Sequence, residues 1–355
     1  MKISPAKNNP GFAVIIVLVA VTVLTLLAGA FAYAMKVETR LAANANNDEQ
    51  FYWIGRGGVD RACWWLALEA PTPNSFTSLH QYWNHGLGDG PETNGPLAFE
   101  SLDNFPVGPG TVSLSMTELE SKININTAPA PLLQQVLTTM GVDASEISVV
   151  SDSILDWIDP DDGTRMAGAE SDYYQGLVPP YNAKNGPIDN IDELQLIKGV
   201  TREMFFGGSP TNSQGFARHR LGFGSAPGQT PDYPFGLRDV FTPFSYGKVN
   251  IFTADDKVLL AILGNDTAAL QAIKTARESD PPIHDARTLL AAAGLNQTPG
   301  TPGAPGGAQI SNFGQQGNTY QVVATATIGE VSHQYTAVVF RTGPNVQVVS
   351  FYRTK

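Results

Sequence analysis

Residues 12–35 form an uncharged, predominantly apolar run, long enough to cross a bilayer as a helix. This run constrains the chain more than any other feature, because it requires a lipid environment that the remaining sequence does not. A short leader carrying Lys2 and Lys7 precedes it. By the positive-inside tendency that end stays cytoplasmic, and everything after Met35 lies across the membrane. A secretory signal has a shorter apolar centre with small residues at its end. Here the cleavage-like position, between Gly11 and Phe12, lies in front of the apolar run, so cutting there leaves the hydrophobic helix on the mature protein.

The order Gly11-Phe-Ala-Val-Ile-Ile-Val-Leu resembles a type IV prepilin signal, which implies a prepilin peptidase acting after Gly11. Counting from Phe12, the fifth residue is Ile16, where most pilin-like subunits carry a glutamate. In such subunits the glutamate neutralises the terminal amine of the subunit already in the fibre. A subunit lacking it need not dock beneath an earlier one and can sit first, at the tip. Ile16 is equally what a plain, unprocessed anchor shows, since a carboxylate in lipid is costly without a partner.

With 355 residues, 42% apolar and 15% charged, the chain can bury a sizeable core and makes two or three domains after the anchor. A net charge of −11 argues against a nucleic-acid surface and makes a cation the more natural partner. Cys63 is the only cysteine, so no intramolecular disulfide forms, and the five histidines show no zinc-type spacing.

Past the membrane run, helical spacing continues, which predicts one helix from Phe12 to Leu68, on the order of 85 Å long. Gly55, Gly57 and Gly58 mark a bend in it or a close packing contact, and Pro71 and Pro73 end it. Phe51, Tyr52, Trp53, Trp64 and Trp65 read as a seam packed on a sheet, with a partner surface as the second reading. Residues 71–110 read as loop with one short helix near 75–83, followed by a half-buried strand over 111–119. Three further strands, over 320–328, 332–341 and 347–352, alternate at the C-terminus.

Between them lies an internal repeat. Lys122-Ile-Asn-Ile-Asn-Thr-Ala recurs as Lys248-Val-Asn-Ile-Phe-Thr-Ala, each followed by an apolar helix face. Thr127 and Thr253 are placed to cap those helices, with Asp256 completing a capping box on Thr253. Further helices are expected over 146–158, 192–197, 259–276 and 285–293. The fold class is therefore α+β: a long N-terminal helix packed on an antiparallel sheet, with a large helical domain inserted. The expected divisions are a leader (1–11), a transmembrane helix (12–35), the rest of the helix (36–70), an α/β domain (71–120 and 308–355), an inserted domain of two related subdomains (121–295), and a Pro/Gly/Thr linker (296–307).

Asp156-Trp-Ile-Asp-Pro-Asp-Asp-Gly, Gly168-Ala-Glu-Ser-Asp-Tyr-Tyr, Pro179-Pro-Tyr-Asn and Asn185-Gly-Pro-Ile-Asp-Asn-Ile-Asp-Glu-Leu together resemble the K-class minor pseudopilins of the type II secretion system. The resemblance runs from the leader to the C-terminal strands. It implies an inserted domain of sterile-alpha-motif-like topology, a single-pass inner-membrane protein with a periplasmic body, the I- and J-class minor pseudopilins as partners, and a place at the pseudopilus tip.

Between Asp152 and Asp172 seven carboxylates accompany one cation, Arg165. Such crowding of hard oxygens suits calcium, and Asp159, Asp161 and Glu170 fall at positions one, three and twelve of an EF-hand count. Thr164 stands where that loop needs glycine, so it is no EF-hand. Asp159, Asp161, Asp162, Glu170 and Asp172 are the candidate ligands. The resemblance implies a structural calcium ion here; a solvated acidic loop with helix-capping aspartates is the other reading. No nucleophile or acid–base constellation accompanies the carboxylates, so no enzyme is expected. A type IV pilus minor pilin or adhesin shares the anchor. A competence-type helix-hairpin-helix DNA-binding protein shares the Asn-Ile-Asn-Thr-Ala motif, but its phosphate contacts need basic residues that are missing here, so no nucleic-acid partner is expected.

Overall fold

The computed structural model describes residues 10–69, 76–85, 101–208, 233–280, 282–295 and 311–354, side chains of 10–13 and 40–47 excepted. The leader before residue 10, residues 71–75 and 86–100 of the expected loop, residues 209–232 and the 296–307 linker lie outside the described residues.

Helix α1 (Pro10–Leu68) runs without interruption for 59 residues. Its segment Val14–Thr39 is long and apolar enough to span a membrane, and none of its most apolar window is buried in the protein. The second half lies on a five-stranded antiparallel sheet of order β1-β2-β7-β8-β9, built from β1 (Phe105–Val107), β2 (Gly110–Glu118), β7 (Thr319–Ile328), β8 (Val331–Thr342) and β9 (Asn345–Arg353). Alternation puts Val112, Leu114 and Met116 of β2 and Tyr320, Val322, Ala324 and Ala326 of β7 into one core with Phe51, Ile54, Val59, Ala62, Trp65 and Leu66 of α1.

The helical glycines mark packing, since α1 continues through them. A Cβ on Gly55 would stand 2.4 Å from the Tyr335 ring, and one on Gly58 would stand 2.6 Å from Val112 Cγ1. Of the five aromatic residues, Phe51 and Trp65 lie in the seam, each 2% exposed, and Tyr52, though 44% exposed, meets Tyr335 and Phe351 of the sheet edge-on at 6.3 and 5.4 Å. Trp53 and Trp64 are 61% and 47% exposed, which corrects the expectation for those two.

The inserted body leaves the sheet after Glu118 and returns at Thr319, where β2 and β7 are paired with Glu118 opposite Tyr320. It has a core of its own. Each repeat begins with a two-residue strand, β3 (Ile123–Asn124) or β5 (Val249–Asn250). These pair in parallel with β4 (Phe241–Thr242) and β6 (Phe313–Gly314) respectively. In both copies the second strand residue folds the next turn: Asn124 Oδ1 accepts from Asn126 N at 2.8 Å and Asn250 Oδ1 from Phe252 N at 3.0 Å.

That extra turn moves the helix starts. Helix α2 (Ala130–Met140) begins after Pro129, and α7 (Asp256–Leu263) is capped by Asp255, which accepts from Val258 N at 2.9 Å. The expected Thr127 and Thr253 caps do not form. Helices α2 and α7 meet at equivalent positions of the repeat: Gln135 Nε2 donates to Ala261 O at 3.2 Å and Asn265 Nδ2 to Thr139 O at 3.3 Å, both pairs 126 residues apart. The two copies thus pack on one another at equivalent positions.

Helix α3 (Ala144–Ile158) follows α2, and α8 (Thr267–Arg277) follows α7. The single helix expected over 259–276 is two, because Gly264 and Asn265 both take positive φ between them. The 192–197 segment is a 3-10 turn, Ile191–Leu196, opened by an Asn190–Glu193 capping box. The helix expected near 75–83 is only a 3-10 turn at Tyr82–Asn84.

Candidate functional site

The acidic segment begins on the last turns of α3 and ends at α4 (Ser171–Gln175). An aromatic group supports it: Trp157 meets Tyr174 edge-on at 5.3 Å, and Tyr174 stacks on Tyr181 at 5.2 Å. The Tyr181 hydroxyl of the Pro-Pro-Tyr stretch donates to Leu196 O at 2.7 Å. Lys198 Nζ donates to Gly168 O at 2.9 Å, holding the loop from the other side.

Within this frame the carboxylates divide into three groups. Asp156 is fully buried and accepts from Arg165 Nη1 at 2.6 Å and from Arg165 N; Arg165 Nη1 also bonds Asp159 Oδ2. Asp152 Oδ2 accepts from Ala167 N at 3.2 Å. Asp161 Oδ1 turns the loop by accepting from Gly163 N at 2.8 Å, and Asp162 Oδ1 accepts from Asn185 Nδ2 at 2.8 Å. Asp172 is exposed at the start of α4.

Glu170 is the unsatisfied member. It is 4% exposed and neither of its oxygens has a hydrogen-bond partner. Asp159 Oδ1 and Asn185 Oδ1 are likewise buried without a partner. Burial first, then the negative charges of Asp156, Asp159, Asp162 and Asp161, push the Glu170 carboxyl up to about 7.

The structure therefore gives Asp159 and Glu170 oxygens free to bind, while Asp161 and Asp162 are engaged in turns and Asp172 lies at the surface. Among the described residues no three His, Cys, Asp or Glu side chains alone form a metal-holding group. A hard cation, however, also takes amide and backbone carbonyl oxygens and water. Four buried oxygens without a hydrogen-bond partner, on two carboxylates and one amide, are of the type such an ion takes. The sequence reading missed Asn185, whose signal was its Asn-Gly dipeptide; its φ of 47° is the left-handed conformation that Asn tolerates.

At the other candidate site, Gly11 and Phe12 lie in the first turn of α1. Ile16 lies within the apolar span and is 55% exposed.

A family model described as type II secretion system, protein K, matches residues 113–207, from β2 through the acidic segment. The type II secretion system protein K of Aeromonas hydrophila is 23% identical over 218 residues, covering 56% of this chain and 61% of that protein. A putative type II secretion system protein K of Escherichia coli K12 is 24% identical, covering 56% and 60%. The chain thus spans about three fifths of the length of the curated relatives it matches. A chain of the crystal structure of the GspK–GspI–GspJ complex from the enterotoxigenic E. coli type 2 secretion system shares the fold with a TM-score of 0.64 at 15% identity, covering 88% of this chain and 99% of that one.

Proposed function

Because this chain belongs to the protein K family of type II secretion minor pseudopilins, we propose that it is the capping subunit at the tip of the periplasmic pseudopilus and supports export across the outer membrane. In this reading prepilin peptidase cuts between Gly11 and Phe12. The apolar span then holds the mature chain in the inner membrane, body in the periplasm, until assembly.

The observation that carries the reading is the placement of the inserted body. A large helical unit is joined to the sheet where the central strands β2 and β7 end. Such bulk on one end allows subunits to add below and none above. Ile16 agrees with it, because a first subunit has no earlier terminal amine to neutralise. The solved relative was crystallised with GspI and GspJ, so the I- and J-class minor pseudopilins are the partners we assign here. Co-expression tests this: the chain should co-purify with its I- and J-class subunits in one stoichiometric complex, and recovery of the chain alone would contradict it. The comparisons do not favour a type IV pilus subunit or a DNA-binding protein. The role is structural, with no catalytic step.

For the acidic segment we propose a structural calcium ion held by Asp159, Glu170 and Asn185. The ion would supply the positive charge that Arg165 supplies only to Asp156 and Asp159, and so fix the loop between α3 and α4. Support comes from the partnerless buried oxygens described above. Melting with calcium and with a chelator tests it, and equal transitions would contradict it.

A further inference from the structure

Both crossings between the pilin-like sheet and the inserted body run through one buried polar cluster. Glu118, Glu120 and Arg341 are each 1% exposed. Glu118, at the outgoing crossing, accepts from Asn250 Nδ2 of the inserted body at 2.9 and 3.2 Å. Glu120 accepts from Tyr246 N of the inserted body at 3.2 Å. At the returning crossing it accepts from Asn318 N at 3.1 Å, Thr319 N at 3.0 Å and Thr319 Oγ1 at 2.9 Å. Each carboxyl therefore ties the two units together. Gly317 leaves the room this needs, since a Cβ there would stand 2.0 Å from Glu118 Oε1.

The charges in this cluster do not balance. Arg341 of β8 is its one guanidinium, and it donates to Gly317 O at 2.8 Å, to Leu66 O of α1 at 3.4 Å and to Glu69 O just beyond that helix at 3.3 Å. The Tyr320 phenol of β7 donates to Gly317 O at 3.2 Å and is held neutral, chiefly by burial. The Glu69 carboxylate at the end of α1 is occupied by Tyr82 N and Trp83 N. Lys122 donates to Arg238 O, with Asp239 and Asp255 as its nearest charges. Arg341 thus spends its donors on neutral oxygens and acts on the carboxyls only through its field, so the two buried carboxyls have no direct ion pair, and a surplus buried carboxylate is resolved by binding a proton.

We propose that Glu118, Glu120, Asn250 and Arg341 form a proton-linked latch, in which one proton held by the carboxyl pair fastens the inserted body to the sheet and its loss loosens the junction while both cores stay folded. Burial raises Glu120 as well, but its four donors oppose that shift and favour the carboxylate, so the proton is assigned to Glu118, which only Asn250 meets. Burial, with Glu120 beside it, pushes Glu118 up to about 8, so the latch opens in mildly alkaline medium.

Hydrogen exchange on the full chain in detergent tests this, after correction for intrinsic pH dependence. From about pH 6 to about pH 9, junction amides Tyr246, Asn318 and Thr319 should lose on the order of tenfold protection while amides of α2 and α7 keep theirs. Glu118→Gln, an isostere of the protonated acid, should hold the junction protected across the range. Flat wild-type protection, or the same pH dependence in Glu118→Gln, would overturn the latch. Should that variant not fold, infrared spectroscopy in a Glu170→Gln background decides: a protonated-carboxyl band present near pH 6 and lost by about pH 9 supports the latch, and its absence near pH 6 overturns it.

Discussion

The acidic loop and the interdomain junction each hold more carboxyls than cations, yet the two places differ in what surrounds the surplus. At the junction every carboxyl is met by donors: Asn250 on Glu118, and four N–H or O–H groups on Glu120. In the loop, Arg165 serves Asp156 and Asp159 while Glu170 has no donor at all. In both, a glycine leaves room for the acid, Gly317 beside Glu118 and Gly168 beside Asp156. A sealed, donor-rich site settles its extra charge with a proton. For one short of donors, next to the exposed Asp161, Asp162 and Asp172, the proposal is an ion from solution.

The strongest way to break this contrast is to remove the junction's cation. Arg341→Met removes the positive charge nearest the two buried carboxyls and strips the Leu66, Glu69 and Gly317 carbonyls of their donor, and should destabilise the chain by about 3–5 kcal/mol, read from denaturant midpoints near neutral pH. Insensitivity to that change would mean the junction is wetter than its burial implies.

Proton linkage gives the next largest effect. Glu118 is raised from 4.5 to about 8 in the folded chain. Between those values the native state therefore holds a proton that the unfolded state has lost. The stabilisation is complete below about pH 4.5 and is lost as pH rises through about 8, a change on the order of 3 kcal/mol once water entry is discounted. Glu118→Gln should remove the part of this slope that lies above about pH 7, where Glu170 has already ionised, and leave the calcium response unchanged.

Calcium should act on the loop alone. With free ion at a hundred times its dissociation constant, the apparent gain is about 2.7 kcal/mol. Glu170→Gln should abolish that gain and keep the slope due to Glu118. As a control outside both regions, Asp255→Ala removes the α7 cap, lowers stability by about 1 kcal/mol and leaves both responses intact.

Much of this architecture is written locally in the sequence. Alternation marks β2, β7, β8 and β9, and the repeated Asn-Ile motif marks two units that meet through Gln135 and Ala261. Features depending on distant residues were not legible. Glu118 reads as the end of a strand because its partner Asn250 lies 132 residues away, and the partner of Glu120, Thr319, lies 199 away. The division of the acidic segment was hidden for the same reason. Spacing favoured Asp161, whereas the fold uses it to turn the loop and brings in Asn185 from 24 residues further on. The missed cap at Thr253 is a local case, in which the Asn250 turn delays the helix.

Locating the chain on assembled pseudopili tests the tip assignment most directly, using a single gold label on the inserted body. One label at one end of each fibre is the predicted result; labels distributed along the length would contradict it.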